Sequence, residues 1–435
     1  MKVIHTADLH LGQVIYQNYD RADEHAHFFR QLREWCEEEQ PDALLVSGDV
    51  FDIQQPSAVT KKAFTDSFVK LHVACPKMKI VITAGNHDSA SRIQADGAVW
   101  EYVNAVLVGP APSMNASDPN WQDDYIVRLD SGYIVALPYM TGNRTAQLQS
   151  ILDKVAEENR DGKPVVMMGH LAVTGMDSTG HDYEIGTIRT QDVKTLGTGY
   201  DYCALGHIHK PQTIGHLADY GNRVATYPAG VVRYSGSALH VSCDEKFPHT
   251  VSVVNIERHG GDVTIRQLRI DELRHFYELP EDKGSYFKSA DEAIKAIRKF
   301  AEECKRGYIR LRIDYNADLP ANFSSMVYDT LRPYHDEMRF NPKHIWIGKP
   351  ETTKEDNKPT FAVAELQEMT NPYTFVEKTI AQYPGLDLNM VKEAFEEVKE
   401  EVRRLAEAES KAAEEKKEKK ASKGKKTTET STKNS

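Results

Sequence analysis

A chain of 435 residues, 40% hydrophobic and 27% charged, has enough material for two or three globular domains and a sizeable core. Its five cysteines, Cys36, Cys75, Cys203, Cys243 and Cys304, are scattered and form no CxxC pair, which argues against a disulfide framework and against a thiolate zinc site. The net charge of -11 does not exclude an acidic substrate, because divalent cations bound in a cleft invert the local field. No apolar run is long enough to span a bilayer and no secretory leader is visible, so a soluble cytoplasmic protein is expected.

From Met1 to about Arg269, short apolar runs alternate with helical stretches. The runs KVIHTA, ALLVSG, KIVITAG, YIVALP, VVMMGH and YCALGH are bounded by Gly or polar residues and read as buried strands of a layered α/β fold. Helical periodicity falls at 22–39, 58–72 and 144–159. The stretch VATYPAGVVRYSGSALHVSC, followed by HTVSVVNIE, has no helix within it and predicts a second, more antiparallel sheet. The pattern changes over 270–350. A helix with Ile294, Ile297, Phe300 and Ala301 on one face precedes YIRLRIDY, where Ile309, Leu311, Ile313 and Tyr315 alternate as in a half-buried strand. A small α/β domain is expected there.

A polar linker covers 351–370, and helices are expected over 371–408, broken at Pro384-Gly385. Leu388, Val391, Phe395, Val398, Val402 and Leu405 follow 3-4-3-4-3 spacing, an a/d seam with charged residues on the other faces. Such a seam packs either on the protein's own core or on a helical partner, and its place after a linker suits the partner. The Lys-rich segment 409–435 is low in apolar residues and is read as a disordered, solvating tail.

Five polar clusters stand where apolar strand runs end: Asp8 and His10; Gly48, Asp49 and Asp52; Gly85, Asn86, His87 and Asp88; Gly169 and His170; Gly206, His207 and His209. The carboxyl ends of strands are where open α/β sheets assemble their sites. A lone Asp-x-His or Gly-Asp is ordinary surface; five such clusters in one domain point to a metal site. Carboxylates, imidazoles and an amide without thiolate suit Mn, Fe or Zn. The donors suffice for two ions sharing a carboxylate, an arrangement that clamps phosphate and activates water, which favours phosphoryl over redox chemistry.

The order DxH, GDxxD, GNHD, GH, GHxH resembles the calcineurin-like metallophosphoesterases. More closely, IHTADLHLGQ, LLVSGDVFD, AGNHDS and ALGHIHKPQ, with YSGSALHVS after them, look like the SbcD family, the nuclease subunits of bacterial SbcC–SbcD DNA-repair complexes. The resemblance is close to about residue 245 and rests on position and pattern beyond it. It implies a layered β-sandwich flanked by helices, with a nuclease domain over 1–269, a capping, DNA-recognition domain over 270–350 and C-terminal helices.

One metal would be held by Asp8, His10, Asp49 and His209, and the second by Asp49, Asn86, His170 and His207, with Asp49 bridging. His87 matches the family's catalytic histidine, which assists the leaving oxygen, and Asp88 would orient its ring. Asp52 stands where some relatives carry a histidine and is read as a supporting group. In GHIH, strand alternation would send His207 to one ion, His209 to the other and Ile208 into the sheet. His5 is expected to pack or support the site, while His25, His27 and His72 are expected at the surface or rim. His181 lies in a loop after His170 and could line a cleft. Arg92 and Arg189 are weak candidates for DNA phosphate contacts.

The same resemblance implies a Mn-dependent nuclease, a 3′-to-5′ exonuclease on duplex ends and an endonuclease on single strands or hairpins, acting in DNA repair and recombination. Its seam at 388–405 would bind the coiled coil of an SMC-like ATPase, SbcC. A homodimer, associated with the nucleoid when on DNA, is also implied. A nucleotide or phosphoprotein hydrolase of the superfamily would share the motifs but leave the cap and seam without purpose. A non-catalytic scaffold would have no need of His87, and nothing points to a redox cofactor.

Overall fold

Strands Lys2–Thr6, Ala43–Ser47 and Lys79–Thr83 send alternate side chains into two different cores. In the computed structural model, Val3, Ala43, Leu45 and Val81 share one buried cluster, while Ile4, Leu44, Val46, Ile80 and Ile82 belong to another. A sheet buried on both faces follows, which is why these runs are continuously apolar. The structure describes residues 1–348 apart from 17–18, 96, 113–117, 180–189, 217–223, 242–244, 283, 304–305 and 335–337, with backbone only for 341–348. The expected linker, seam helices and tail, with His181 and Arg189, lie outside the described residues.

The first sheet has seven strands in the order Val224–Tyr227, Val263–Arg269, Thr250–Ile256, Lys2–Thr6, Ala43–Ser47, Lys79–Thr83 and Ala105–Val108. The last four are mutually parallel, and Thr250–Ile256 joins Lys2–Thr6 antiparallel. A second, six-stranded sheet runs Gln212–Thr213, Val231–Tyr234, Tyr202–Gly206, Val165–His170, Gly132–Ala136 and Ile126–Leu129. Its four central strands are parallel.

The two sheets pack face to face: Val3, Leu45 and Val81 of the first share their core with Val166, Met168 and Ala204 of the second. The expected antiparallel sheet over 224–256 is therefore corrected. Val224–Tyr227 and Thr250–Ile256 extend the first sheet, whereas Val231–Tyr234 extends the second. Local pattern marks a strand but not the partner it pairs with.

Helices cover the outer faces. Ala22–Glu39 buries His25, Phe28, Phe29, Leu32 and Cys36, a stripe at helical spacing. Ala58–Ala74 starts at Ser57, whose hydroxyl accepts the Thr60 N–H, and buries Phe64, Phe68 and Leu71 beside it. Fully burying a phenylalanine such as Phe28 or Phe68 contributes roughly 1.5–3 kcal/mol. On the other side, Thr145–Glu158 buries Leu148, Ile151, Leu152 and Val155 against the second sheet. The result is a layered α/β sandwich.

Beyond Arg269, strands His275–Leu279, Phe287–Ser289, Gly307–Asp318 and Met338–Gly348 form a four-stranded sheet. Helices Ala290–Glu303 and Phe323–Leu331 pack on it around a separate core that includes Ile297, Leu311, Ile313 and Val327. Buried Tyr308 of this sheet hydrogen-bonds Glu24, which also pairs with Arg21 at 2.7 Å and Arg339 at 3.1 Å. That network joins the small sheet to the start of helix Ala22–Glu39, and Met1–Gly348 makes one compact unit.

Candidate metal centre

Five strands, parallel within each of the two sheets, deliver the polar clusters to one place. Lys2–Thr6, Ala43–Ser47 and Lys79–Thr83 lead into Asp8, Asp49 and Asn86, while Val165–His170 and Tyr202–Gly206 lead into His170 and His207. The backbone bends sharply at these ends. Asp8 (φ 51°), His10 (φ 46°), Asp49 (φ 47°) and His207 (φ 95°) are all in the left-handed region, which side chains with a Cβ seldom adopt. Such strain concentrates where surrounding structure over-determines a functional geometry. Glycine is required beside them for room: a Cβ on Gly85 would lie 2.0 Å from Asp49 Oδ1, and one on Gly206 1.9 Å from the Ser47 carbonyl oxygen.

Four donor residues converge in one half of the site. His170 Nε2 lies 3.0 Å from Asn86 Oδ1 and 3.2 Å from Asp49 Oδ2, and His207 Nδ1 lies 2.9 Å from the same Asn86 oxygen. Donors bound at 2.0–2.2 Å to one small ion stand roughly 3 Å apart, so these separations fit an ion between them. His170 Nδ1 donates to the Ser47 carbonyl at 2.8 Å, which leaves Nε2 as its ligand nitrogen.

The other half holds Asp8, His10 and His209, each with a ligand atom within 4.8 Å of the others. His10 Nε2 is buried without a hydrogen-bond partner, an expensive condition that a cation would relieve. Asp52 Oδ1 stands 3.4 Å from His10 Nδ1, and buried Glu245 lies 2.8 Å from His209 Nδ1. Asp8 also accepts the His207 N–H, at 3.0 and 3.1 Å, which ties the two halves together. Oxygen and imidazole donors without thiolate fit a divalent ion of the Mn, Fe or Zn group.

Residues 1–211 match the calcineurin-like phosphoesterase family. This stretch is similar to calcineurin-like phosphoesterase domains. Among curated relatives, the SbcD subunits of the SbcCD nucleases of Rhodobacter capsulatus and Escherichia coli K12 are each 28% identical. Each alignment covers 59% of this chain and 66% of the relative, just under two thirds of its length. The Bacillus subtilis counterpart is 28% identical over 62% of this chain and 69% of its own. A dimetal phosphatase from Danio rerio aligns with 62% of this chain and 99% of its own at 12% identity and a TM-score of 0.33, too weak to bear on fold or function.

Charge in the cluster is balanced by protons where no cation is present. Burial opposes ionisation of His170, but the adjoining Asp49 and Asp8 outweigh it and push the imidazole up to about 9. Asp8 is pushed up to about 7 by burial, with the Asp49 charge adding and His170 opposing. Burial likewise works against Asp49, yet His170, His10 and His87 hold its carboxyl below the ordinary range. Burial keeps His209 well below the usual imidazole value. A bound cation takes over the role of these protons.

Other expected residues fall in varied places. His87 is exposed beside the cluster, its ring centroid 5.0 Å from that of His10; its N–H donates to Asp49 Oδ1 at 2.8 Å and its Nδ1 to the Asp52 carbonyl at 2.9 Å. Asp88 does not orient that ring. Its carboxylate is taken up by the main-chain N–H groups of Gly85, Val50 and Phe51. His207 and His209 do part, but not by strand alternation: the strand ends at Gly206, and the left-handed turn at His207 separates them while Ile208 is fully buried.

His5 packs, fully buried, with Nδ1 2.7 Å from Tyr202 Oη. His25 is also buried, its Nε2 donating to the Leu9 carbonyl at 2.8 Å, so its surface placement is corrected; His27 and His72 are partly exposed. Arg92 lines an apolar cavity with Phe64, Trp100 and Val103 rather than the site. Glu245 escaped sequence reasoning, because SCDEKFPH carries no periodic or motif signal that would set it apart. Among the described residues, no helix is long and apolar enough to cross a membrane.

Proposed function

We propose that this chain is a two-metal phosphodiesterase that cleaves DNA, the nuclease subunit of an SbcC–SbcD-type complex. The observation that carries the reading is the convergence of Asp8, His10, Asp49, Asn86, His170, His207 and His209, with exposed His87 beside them. The names of the relatives support DNA as substrate and an ATPase of the SbcC type as partner. Mn²⁺ is the proposed ion. The proposed activities are 3′-to-5′ exonuclease on duplex ends and endonuclease on single strands or hairpins, in DNA repair and recombination. The segment 270–350 is proposed as the capping domain and Leu388, Val391, Phe395, Val398, Val402 and Leu405 as the ATPase-binding seam. A homodimer acting at the nucleoid completes the reading.

When bound, two such ions polarise the phosphate and supply an activated water for in-line attack. Asp8, His10 and His209 would hold one ion, and Asn86, His170 and His207 the other, with Asp49 available to both. Asp49 also holds the His87 main chain through Oδ1. The Asp52 carbonyl anchors His87 Nδ1, which leaves Nε2 as the atom that carries a proton to the leaving oxygen. A cavity of about 600 Å³ lined by Tyr139, Asn143, Gln191 and His207 adjoins the Asn86 side of the site and has room for the neighbouring nucleotide.

The decisive experiment follows cleavage of an end-labelled duplex in Mn²⁺ by the wild type and His87→Asn. The variant is expected to lose about 100-fold or more of the rate while binding Mn²⁺ normally. Undiminished cleavage, or cleavage of small phosphodiesters alone, overturns the assignment. For the seam, Val398→Glu is expected to abolish copurification with the coiled-coil ATPase; retained copurification rules that seam out as the docking element.

A further inference from the structure

The imidazoles of the site are backed unequally. His170 leans on a neutral main-chain carbonyl, that of Ser47. His209 leans on a carboxylate, with Nδ1 2.8 Å from Glu245 Oε1 and both side chains buried. Glu245 is itself firmly held: Oε2 accepts the Val241 N–H at 3.0 Å and stands 3.3 Å from His249 Nε2. His249 is fixed in turn by Nδ1, 2.9 Å from the Ser237 carbonyl oxygen. A carboxylate in this surrounding is costly to bury unless positive charge lies close by. The cluster of Asp8, His10 and His209 lies one imidazole away.

We propose that Glu245 is a positioning residue of the metal centre, accepting the His209 Nδ1–H so that Nε2 is offered to the ion. This rests on the two-ion reading above and deepens it. The carboxylate locks the ring's tautomer and orientation and makes the imidazole a stronger donor, as a carboxylate behind a metal-bound histidine does elsewhere. Together with Asp52 behind His10, it places anionic groups behind the Asp8, His10 and His209 ion. Behind the His170 ring stands the neutral Ser47 carbonyl.

The test is Mn²⁺ titration of the full chain by calorimetry for the wild type and Glu245→Gln. The wild type is expected to show two sites, and the variant to weaken one of them by about 10–100-fold with the other unchanged. Equal binding by both proteins overturns the proposal, whereas a wild type that binds no Mn²⁺ overturns the two-ion reading beneath it. Should the variant not fold, two-bond ¹H–¹⁵N correlation spectra of metal-free wild type decide, with His209 assigned by His209→Gln. The Nδ1–H tautomer at His209 supports the proposal, and the Nε2–H tautomer overturns it.

Discussion

Asp88 Oδ2 accepts the Gly85 N–H at 2.8 Å, closing the Gly-Asn-His-Asp segment on itself. The same carboxylate takes the N–H groups of Val50 at 3.1 Å and Phe51 at 2.9 Å, so it bolts this segment to the loop that carries Asp49. Asp88 therefore maintains the scaffold of the site. Asp88→Asn turns an amide donor toward main-chain donors and loses charge-assisted bonds. A loss of about 2–3 kcal/mol is expected in urea unfolding. Stability within experimental error of wild type, with cleavage abolished, would return Asp88 to the chemistry.

Gly85 has no room for a side chain, since a Cβ would overlap Asp49 Oδ1 at 2.0 Å and its main-chain nitrogen at 2.2 Å. Gly85→Ala must push Asp49 aside, and the two halves of the site depend on that carboxylate. A fall of at least about 10-fold in Mn²⁺ affinity is expected by calorimetry. Gly162 offers the control: its φ is +65° and nothing lies within 4 Å of a Cβ built there. Gly162→Ala is expected to cost only about 1–2 kcal/mol of stability and no metal affinity. Normal binding by Gly85→Ala would show that the loops give way more easily than their packing implies.

What the sequence made legible was local. Helix Ala22–Glu39 follows from Phe28, Leu32 and Cys36 at helical spacing, and the donors follow from Gly–Asp and Gly–His pairs at the ends of apolar runs. What stayed hidden depends on partners distant in the chain. Val224–Tyr227 and Val231–Tyr234 lie seven positions apart yet join different sheets. Glu245 matters only because the fold brings it against His209, 36 residues away. His25 resists placement from sequence because an imidazole on a helix reads as polar until the Leu9 carbonyl that receives its N–H is known. The left-handed turns at Asp8, His10 and Asp49 were equally hidden, since none is a glycine and each is held by its surroundings.

His5 joins the two sheets, its strand lying in the first and its partner Tyr202 in the second. Burial, aided by the charge of Arg233, lowers its pKa to about 3. In the unfolded chain a histidine titrates near 6.5. Above that value His5 is neutral in both states and adds no pH dependence. Between 6.5 and about 3 the unfolded chain binds a proton that the folded chain refuses, so stability falls as pH falls. From pH 7 to pH 5 this one group is expected to remove about 2 kcal/mol. Urea unfolding in EDTA at both values, for the wild type and His5→Gln, checks it: the variant should lose about 2 kcal/mol less over that interval. Equal losses in the two proteins would show that His5 takes up its proton within the folded state.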